Sequence, residues 1–487
     1  MQAKFSTIEG IGENLSDFLL LIFYHRPKKG HLMSSLAKLK QWIDAHRSQI
    51  REDYFQFLRF KSISADPAFA QEIDRCAAWL RDYVASKTGM KAELIETEGY
   101  PLIYAEDLRA GPKAPTVLIY GHYDVQPVDP LELWESDPFE PTERQGRVFA
   151  RGAVDDKGQI FYGILAVRAW KELGLKLPIN LKFCIEGEEE SSSVGLSKSL
   201  PRLKEKLKAD SLLVIDFDQY DPETPGLTLG ARGMLALEVT LTGSKGDLHS
   251  GIHGGIAYNP NKALVQLLAQ MWDEKGRVAI PGFYDEVVKT TEKERNQFDF
   301  HFTKEKYSKE FGVEAFGGEK HLSMAENNCF QPTLEINGIG GGYTGAGFKT
   351  VIPAHATAKI SVRLVPHQDP RKVGQLVSDF LKKHVTPGMK IKVNYLGGEP
   401  AFRGSPNSAL AKAVCQAGSE VMGQPCKNML CPASIPIVAK LIQEIGLDVV
   451  GMGYGLSTDQ IHAPNEHFDL TRLEKGFLTV ARTLELL

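Results

Sequence analysis

The sequence predicts an α/β protein, with a largely parallel sheet covered by helices on both faces and carrying an inserted α+β domain. Three observations predict it. Short β-branched runs at 116–120, 179–185, 211–215 and 448–451 punctuate the chain, with a helix-patterned stretch at 158–173 between the first two. Strands alternating with helices are the mark of parallel sheets buried on both sides. A different order begins near Gly233: strand, helix, strand, helix, strand. Finally, 487 residues exceed what one hydrophobic core usually serves. The expected division is a catalytic domain in two parts, 1–232 and 401–487, around an inserted lid and dimerisation domain at 233–400.

Taken in order, apolar residues at 34–87 recur at helical spacing (Leu36, Leu39, Trp42, Ile43, then Phe55, Phe57, Leu58), which predicts amphipathic helices. The strands of the larger domain come next. In the insert, 235–241 reads as a strand, 261–273 as a helix, 356–365 as an alternating strand, 370–384 as a helix and 390–395 as a strand. Between them, 289–328 is polar with little periodicity. The glycine-dense GIGGGYTGAG at 338–347 lacks the context and the terminal Lys of a phosphate loop, and reads as a turn with close backbone packing.

Composition excludes several functions. A formal charge of −4 with scattered Lys and Arg gives no footprint for nucleic acid. Six cysteines without CxxC spacing point to a reducing, cytoplasmic setting and no thiolate metal site. The apolar run at 18–24 is far shorter than the roughly 20 residues of a membrane span, and no signal-peptide cleavage pattern comes after it. Residues 1–32 bear no clear relation to the rest of the chain, so they are a possible extension and Met33 a possible start.

Polar motifs fall where the strands of the larger domain stop. They are His122-Tyr-Asp124, then Asp155-Asp156 before the helix, Glu188-Glu189-Glu190, Asp216-Phe-Asp218, and Asp459 through His462 to Glu466. In such sheets ligands bind at the carboxyl ends of strands. Singly, each motif is an ordinary loop or turn. Jointly, they offer imidazoles and carboxylates without thiolate, a donor set that suits zinc, with manganese or cobalt possible. Their number exceeds the three protein ligands of one catalytic ion and fits two ions sharing a carboxylate. His122 then binds metal, and Asp124 orients the site from behind.

YGHYDVQP at 120–127, ARGAVDDKG, EGEEESSS, the Asp216 strand end, DLHSG at 247–251, VIPAHATAKISVRLVP at 351–366 and DQIHAPNE together resemble one family, the dizinc metallopeptidases that include aminoacylases, glutamate carboxypeptidases, desuccinylases and dipeptidases. The VQP, WESDPF and SIP segments are most similar to its cytosolic nonspecific dipeptidase branch. The resemblance implies metal ligands His122, Asp155, Glu190, Asp216 and His462, with Asp155 bridging and its bond to Asp156 cis. Ser191 sets the register in the Glu triplet and makes Glu189 the general base. The spacing to 230–233 favours Asp216 over Asp218.

It further implies that Arg363 clamps the substrate's terminal carboxylate, although Arg363 also reads as a surface arginine on a lid strand. Thr350 and Ser434 are candidates for the same pocket, or turn residues. His249 is implied to donate to the oxyanion across a homodimer interface, where its plain reading is a solvated histidine. The implied activity is zinc-dependent hydrolysis of dipeptides or short peptides. The alternative is an N-acyl amino acid deacylase or desuccinylase on the same site. A decayed, non-catalytic member is expected to have lost Glu189 or a ligand, and none is lost.

Overall fold

The computed structural model describes residues 29–487 apart from His301 and Phe316, with only the backbone of 29–34. The apolar run at 18–24 and most of the possible extension lie outside the described residues, and the first helix, Lys29–Leu58, runs through Met33 unbroken.

A nine-stranded sheet forms the core of the larger domain. Its order is Lys91–Ile95, Leu102–Asp107, Asn180–Glu186, Thr116–His122, Ser211–Ile215, Asp448–Met452, Gly226–Ala231, then Phe402–Arg403, with Lys427–Cys431 also paired to Gly226–Ala231. The strands from Asn180–Glu186 to Asp448–Met452 are mutually parallel, and antiparallel strands flank them. Side-chain alternation makes two cores. Val117, Ile119, Leu181, Phe183, Leu213 and Ile215 meet helices on one face. Leu118, Tyr120, Cys184, Leu212 and Val214 meet the helices Val194–Leu207 and Pro436–Ile445 on the other. Helices on both faces explain why these strands read as continuous apolar runs.

The insert is a four-stranded antiparallel sheet, ordered Thr333–Gly341, His355–Leu364, Gly233–Thr242, Lys390–Glu399. Every other residue of Gly233–Thr242 is buried, and the helices Pro260–Ala269 and Pro370–His384 complete a separate core on that face. The first of these helices stops four residues short of the expected 273. Gly338, Gly340 and Gly341 are not in a turn: they finish an edge strand, in register with Lys359, Thr357 and Ala356. Ladder pairing uses backbone groups, so glycines join it once a partner strand is present. The close approach does exist, since a Cβ on Gly341 would lie 2.1 Å from Asn261 Oδ1. The stretch 289–328 holds short helices, among them Lys304–Phe311.

Candidate active site

His122 is the last residue of the Thr116–His122 strand, paired in parallel with Glu186, and its side chain is 1% exposed. Two residues on, Asp124 is fully buried and joins three segments. Its Oδ1 lies 3.3 Å from His122 Nδ1 and accepts the Glu189 N–H at 3.2 Å. Its Oδ2 accepts the Glu190 N–H at 3.1 Å and the Ser64 hydroxyl at 2.6 Å. Asp124 therefore fixes the imidazole and the Glu189–Glu190 turn against one another, the kind of support that orients ligands.

Asp155 stands at the start of the buried helix Lys157–Glu172, and the Asp155–Asp156 peptide is cis. Its carboxylate is shared between two histidines: Oδ1 is 3.1 Å from His122 Nε2 and Oδ2 is 2.8 Å from His462 Nε2. Glu190 Oε1 lies 3.2 Å from the same His462 nitrogen, and Asp216 Oδ2 lies 3.9 Å from His122 Nε2. The five residues thus fall into two overlapping sets, His462 with Glu190 and His122 with Asp216, joined by Asp155. Gln126 steadies Glu190 with a hydrogen bond of 2.8 Å to Oε2.

The loops that carry Asp155 and His462 are braced from behind. Glu466, four residues after His462, accepts the N–H groups of Gly152, Val154 and Asp155 and pairs with Arg151. Asp459, three residues before His462, takes a two-pronged bond from Arg472 at 2.5 and 2.6 Å.

Donor atoms of His122, Asp155 and Glu190, and separately of His122, Asp156 and Asp216, lie within 4.8 Å of one another. No Lys or Arg among the described residues makes an ion pair with Asp155, Asp156, Glu189, Glu190 or Asp216. Burial pushes the Asp216 and Asp156 carboxyls well up, with nearby carboxylates adding to the shift and His122 opposing it at both, and Asp156 Oδ1 is buried without a hydrogen-bond partner. Burial also raises Glu189 to about 7, with Glu190, Asp124 and Asp155 adding to the shift and His122 opposing it. His462 is driven up to about 10 by its bonds to Asp155 and Glu190. A carboxylate excess held this way, with two imidazoles, fits divalent cations as the missing positive charge.

Sequence reasoning missed Asp156, which accepts the His122 N–H at 3.0 Å, and the bracing roles of Glu466, Ser64 and Gln126. Asp156, Gln126 and Glu466 each stand inside a motif that the sequence singles out, whereas Ser64 has no such signal. Asp218 is kept from the ligand groups and bridges to Gly455 by its backbone instead.

The remaining candidates divide into two places. Arg363, on a strand of the insert, donates to the Ser434 hydroxyl of the larger domain at 2.6 Å. His249 and Thr350 sit together elsewhere on the insert. The Leu248–His249 strand pairs with Val351–Ile352, and Ser250 N–H bonds Thr350 O at 3.0 Å. Both residues are exposed, and the His249 ring caps its own short helix by accepting the Gly251 N–H.

Comparison with known proteins agrees with this architecture. Residues 118–486 match peptidase family M20/M25/M40. The Cys-Gly metallodipeptidase of Schizosaccharomyces pombe is 31% identical over 462 residues, 91% of this chain and 96% of that one. The human Beta-Ala-His dipeptidase is 32% identical over 450 residues, 88% of each. Among solved structures, an M20 family metallo-carboxypeptidase of Sulfolobus solfataricus is 34% identical with a TM-score of 0.80, covering 90% of this chain and 98% of that one. With that match and a carboxylate-bridged histidine site at the strand ends, the chain belongs to peptidase family M20/M25/M40 and is a metal-dependent hydrolase.

Proposed function

We propose that the protein hydrolyses the peptide bond of dipeptides. The carrying observation is the Asp155 carboxylate shared between His122 and His462, with Glu190 and Asp216 each on one side. Relatives named as dipeptidases over nearly the whole chain support the substrate class.

His122, Asp155, Glu190, Asp216 and His462 would hold two divalent ions, zinc in the first instance and manganese or cobalt otherwise. Bound there, the ions supply Lewis acidity and lower the pKa of water toward neutrality. Glu189 is the proton carrier: its carboxylate has no hydrogen-bond partner among the described residues and stands next to the ligands. It takes the proton of the attacking water and delivers it to the leaving amine, help usually worth about 10²–10⁴ in rate. Arg363, held by Ser434, receives the terminal carboxylate as a planar two-pronged donor.

His249 and Thr350 complete the site of a second copy in a homodimer formed through the insert. The apolar surface beside them supports this, with Ile252 66%, Ile256 82% and Phe348 90% exposed. Large exposed apolar groups clustered on one face mark interaction sites. The enzyme is assigned to the cytoplasm, consistent with six free cysteines and with no described helix long and apolar enough to cross a membrane.

The test is turnover of unblocked dipeptides against N-acetyl amino acids, after chelation and re-addition of zinc or manganese. Metal-restored cleavage of dipeptides is expected. Cleavage of the acylated amino acids alone makes the enzyme a deacylase, and activity indifferent to chelation overturns the metal site.

A further inference from the structure

Two arginines meet where the insert joins the larger domain, and no carboxylate pairs with either among the described residues. Arg232 is the single residue between the Gly226–Ala231 and Gly233–Thr242 strands. Its Nε donates to Pro432 O at 2.8 Å, its Nη1 to Thr333 Oγ1 at 3.3 Å, and its backbone N–H to Cys431 O and Ala433 O. These bonds leave further guanidinium donors open, since the fork carries five N–H groups. Arg363 faces the same junction: the sheet register sets it opposite Thr333 on one side and Met234 on the other. Its hold on Ser434 brings it to the loop that also grips Arg232.

The two charges feel each other. Burial, then Arg363, pushes Arg232 down to about 10, and burial lowers Arg363. Around Arg232 stand the thiols Cys329 and Cys431, and Glu335 is felt at a distance without forming an ion pair. Both arginines are thus tied to the 432–434 loop and to Thr333, which brings Arg232 beside the arginine proposed above to receive the terminal carboxylate. Partly buried guanidiniums without counter-ions are costly, and the cost is recovered when an anion arrives. Their geometry matches carboxylates in particular.

We propose that Arg232 and Arg363 form a dicarboxylate subsite, in which Arg363 takes the α-carboxylate and Arg232 the side-chain carboxylate of a C-terminal Asp or Glu. The preferred substrates are then dipeptides ending in an acidic residue, an inference that rests on the dipeptidase reading.

Two measurements separate the subsite from that reading. The first is calorimetric binding of free glutamate and free glutamine to the metal-loaded enzyme. The second is kcat/KM for Ala-Glu against Ala-Gln. The native enzyme should favour the acid at least tenfold in both, the discrimination that a charge-assisted bond supplies. Arg232→Met should collapse both ratios towards one and Arg232→Lys should keep part of them, with metal content checked to show that each variant is folded. Equal binding of glutamate and glutamine by the native enzyme overturns the subsite even if dipeptides are cleaved. Arg232-dependent glutamate binding without cleavage of any dipeptide sustains the subsite and overturns the dipeptidase reading.

Discussion

Arg151 and Glu466 form an ion pair of 2.7 Å with side chains 1% and 0% exposed, and the same carboxylate holds the backbone that delivers Asp155. The loop of Asp155 and the loop of His462 are therefore one mechanical unit. Glu466→Gln keeps the shape and removes the charge, stranding Arg151. Breaking one half of a buried pair costs about 3–5 kcal/mol. Denaturant unfolding of the metal-free variant should show a loss of that order, and calorimetry should show weakened zinc affinity.

Glu189→Gln should abolish turnover and leave metal content near two equivalents by elemental analysis, because it removes a proton acceptor and no ligand. Glu190→Gln should lose metal. The reverse pattern would move the base one residue along the triplet.

Metal loading should release protons. Both histidines point Nε2 at carboxylate oxygens, and His122 Nδ1 also faces oxygens, Asp124 O at 3.1 Å and Oδ1 at 3.3 Å. A nitrogen surrounded by acceptors carries its hydrogen, and metal binding displaces it from Nε2. About one proton per histidine is therefore expected, read from zinc titrations in buffers of different ionisation enthalpy. Because protons compete with the metal for the same nitrogens, affinity weakens as pH falls.

His249→Ala should cost about 10²–10³ in rate, the usual loss for one oxyanion donor. Mixed with Glu189→Gln chains, it should regain part of the activity, since one composite site then has both groups. Verified subunit exchange without recovery removes His249 from the partner's site.

How much the sequence made legible depends on which forces act locally. The Thr116–His122 and Ser211–Ile215 strands announce themselves because burial on both faces demands unbroken apolar runs. His122 and Asp155 stand out because polar groups at strand ends need a reason. The edge strand Thr333–Gly341 stayed hidden because its glycines carry no side-chain pattern and its partner lies across the insert. The bracing role of Glu466, and Arg232 altogether, stayed hidden for the same kind of reason. Their partners are backbone groups and side chains brought near only by the fold, 312 positions away for Glu466 and Val154, so no spacing rule reaches them.

The insert hangs on two chain crossings, and the crossings touch. Met234 is in register with Glu399, and a Cβ on Gly233 would lie 2.5 Å from Ala401 N. Two tethers meeting at one spot make a hinge-type junction, the geometry about which domains turn and do not slide. Arg363, in register with Met234, stands beside this junction, and from there it reaches Ser434 of the larger domain. If Arg363 is the carboxylate clamp proposed above, the insert can turn about this junction with the clamp left close to its axis, so that the far rim opens while the grip on the peptide's end keeps its shape.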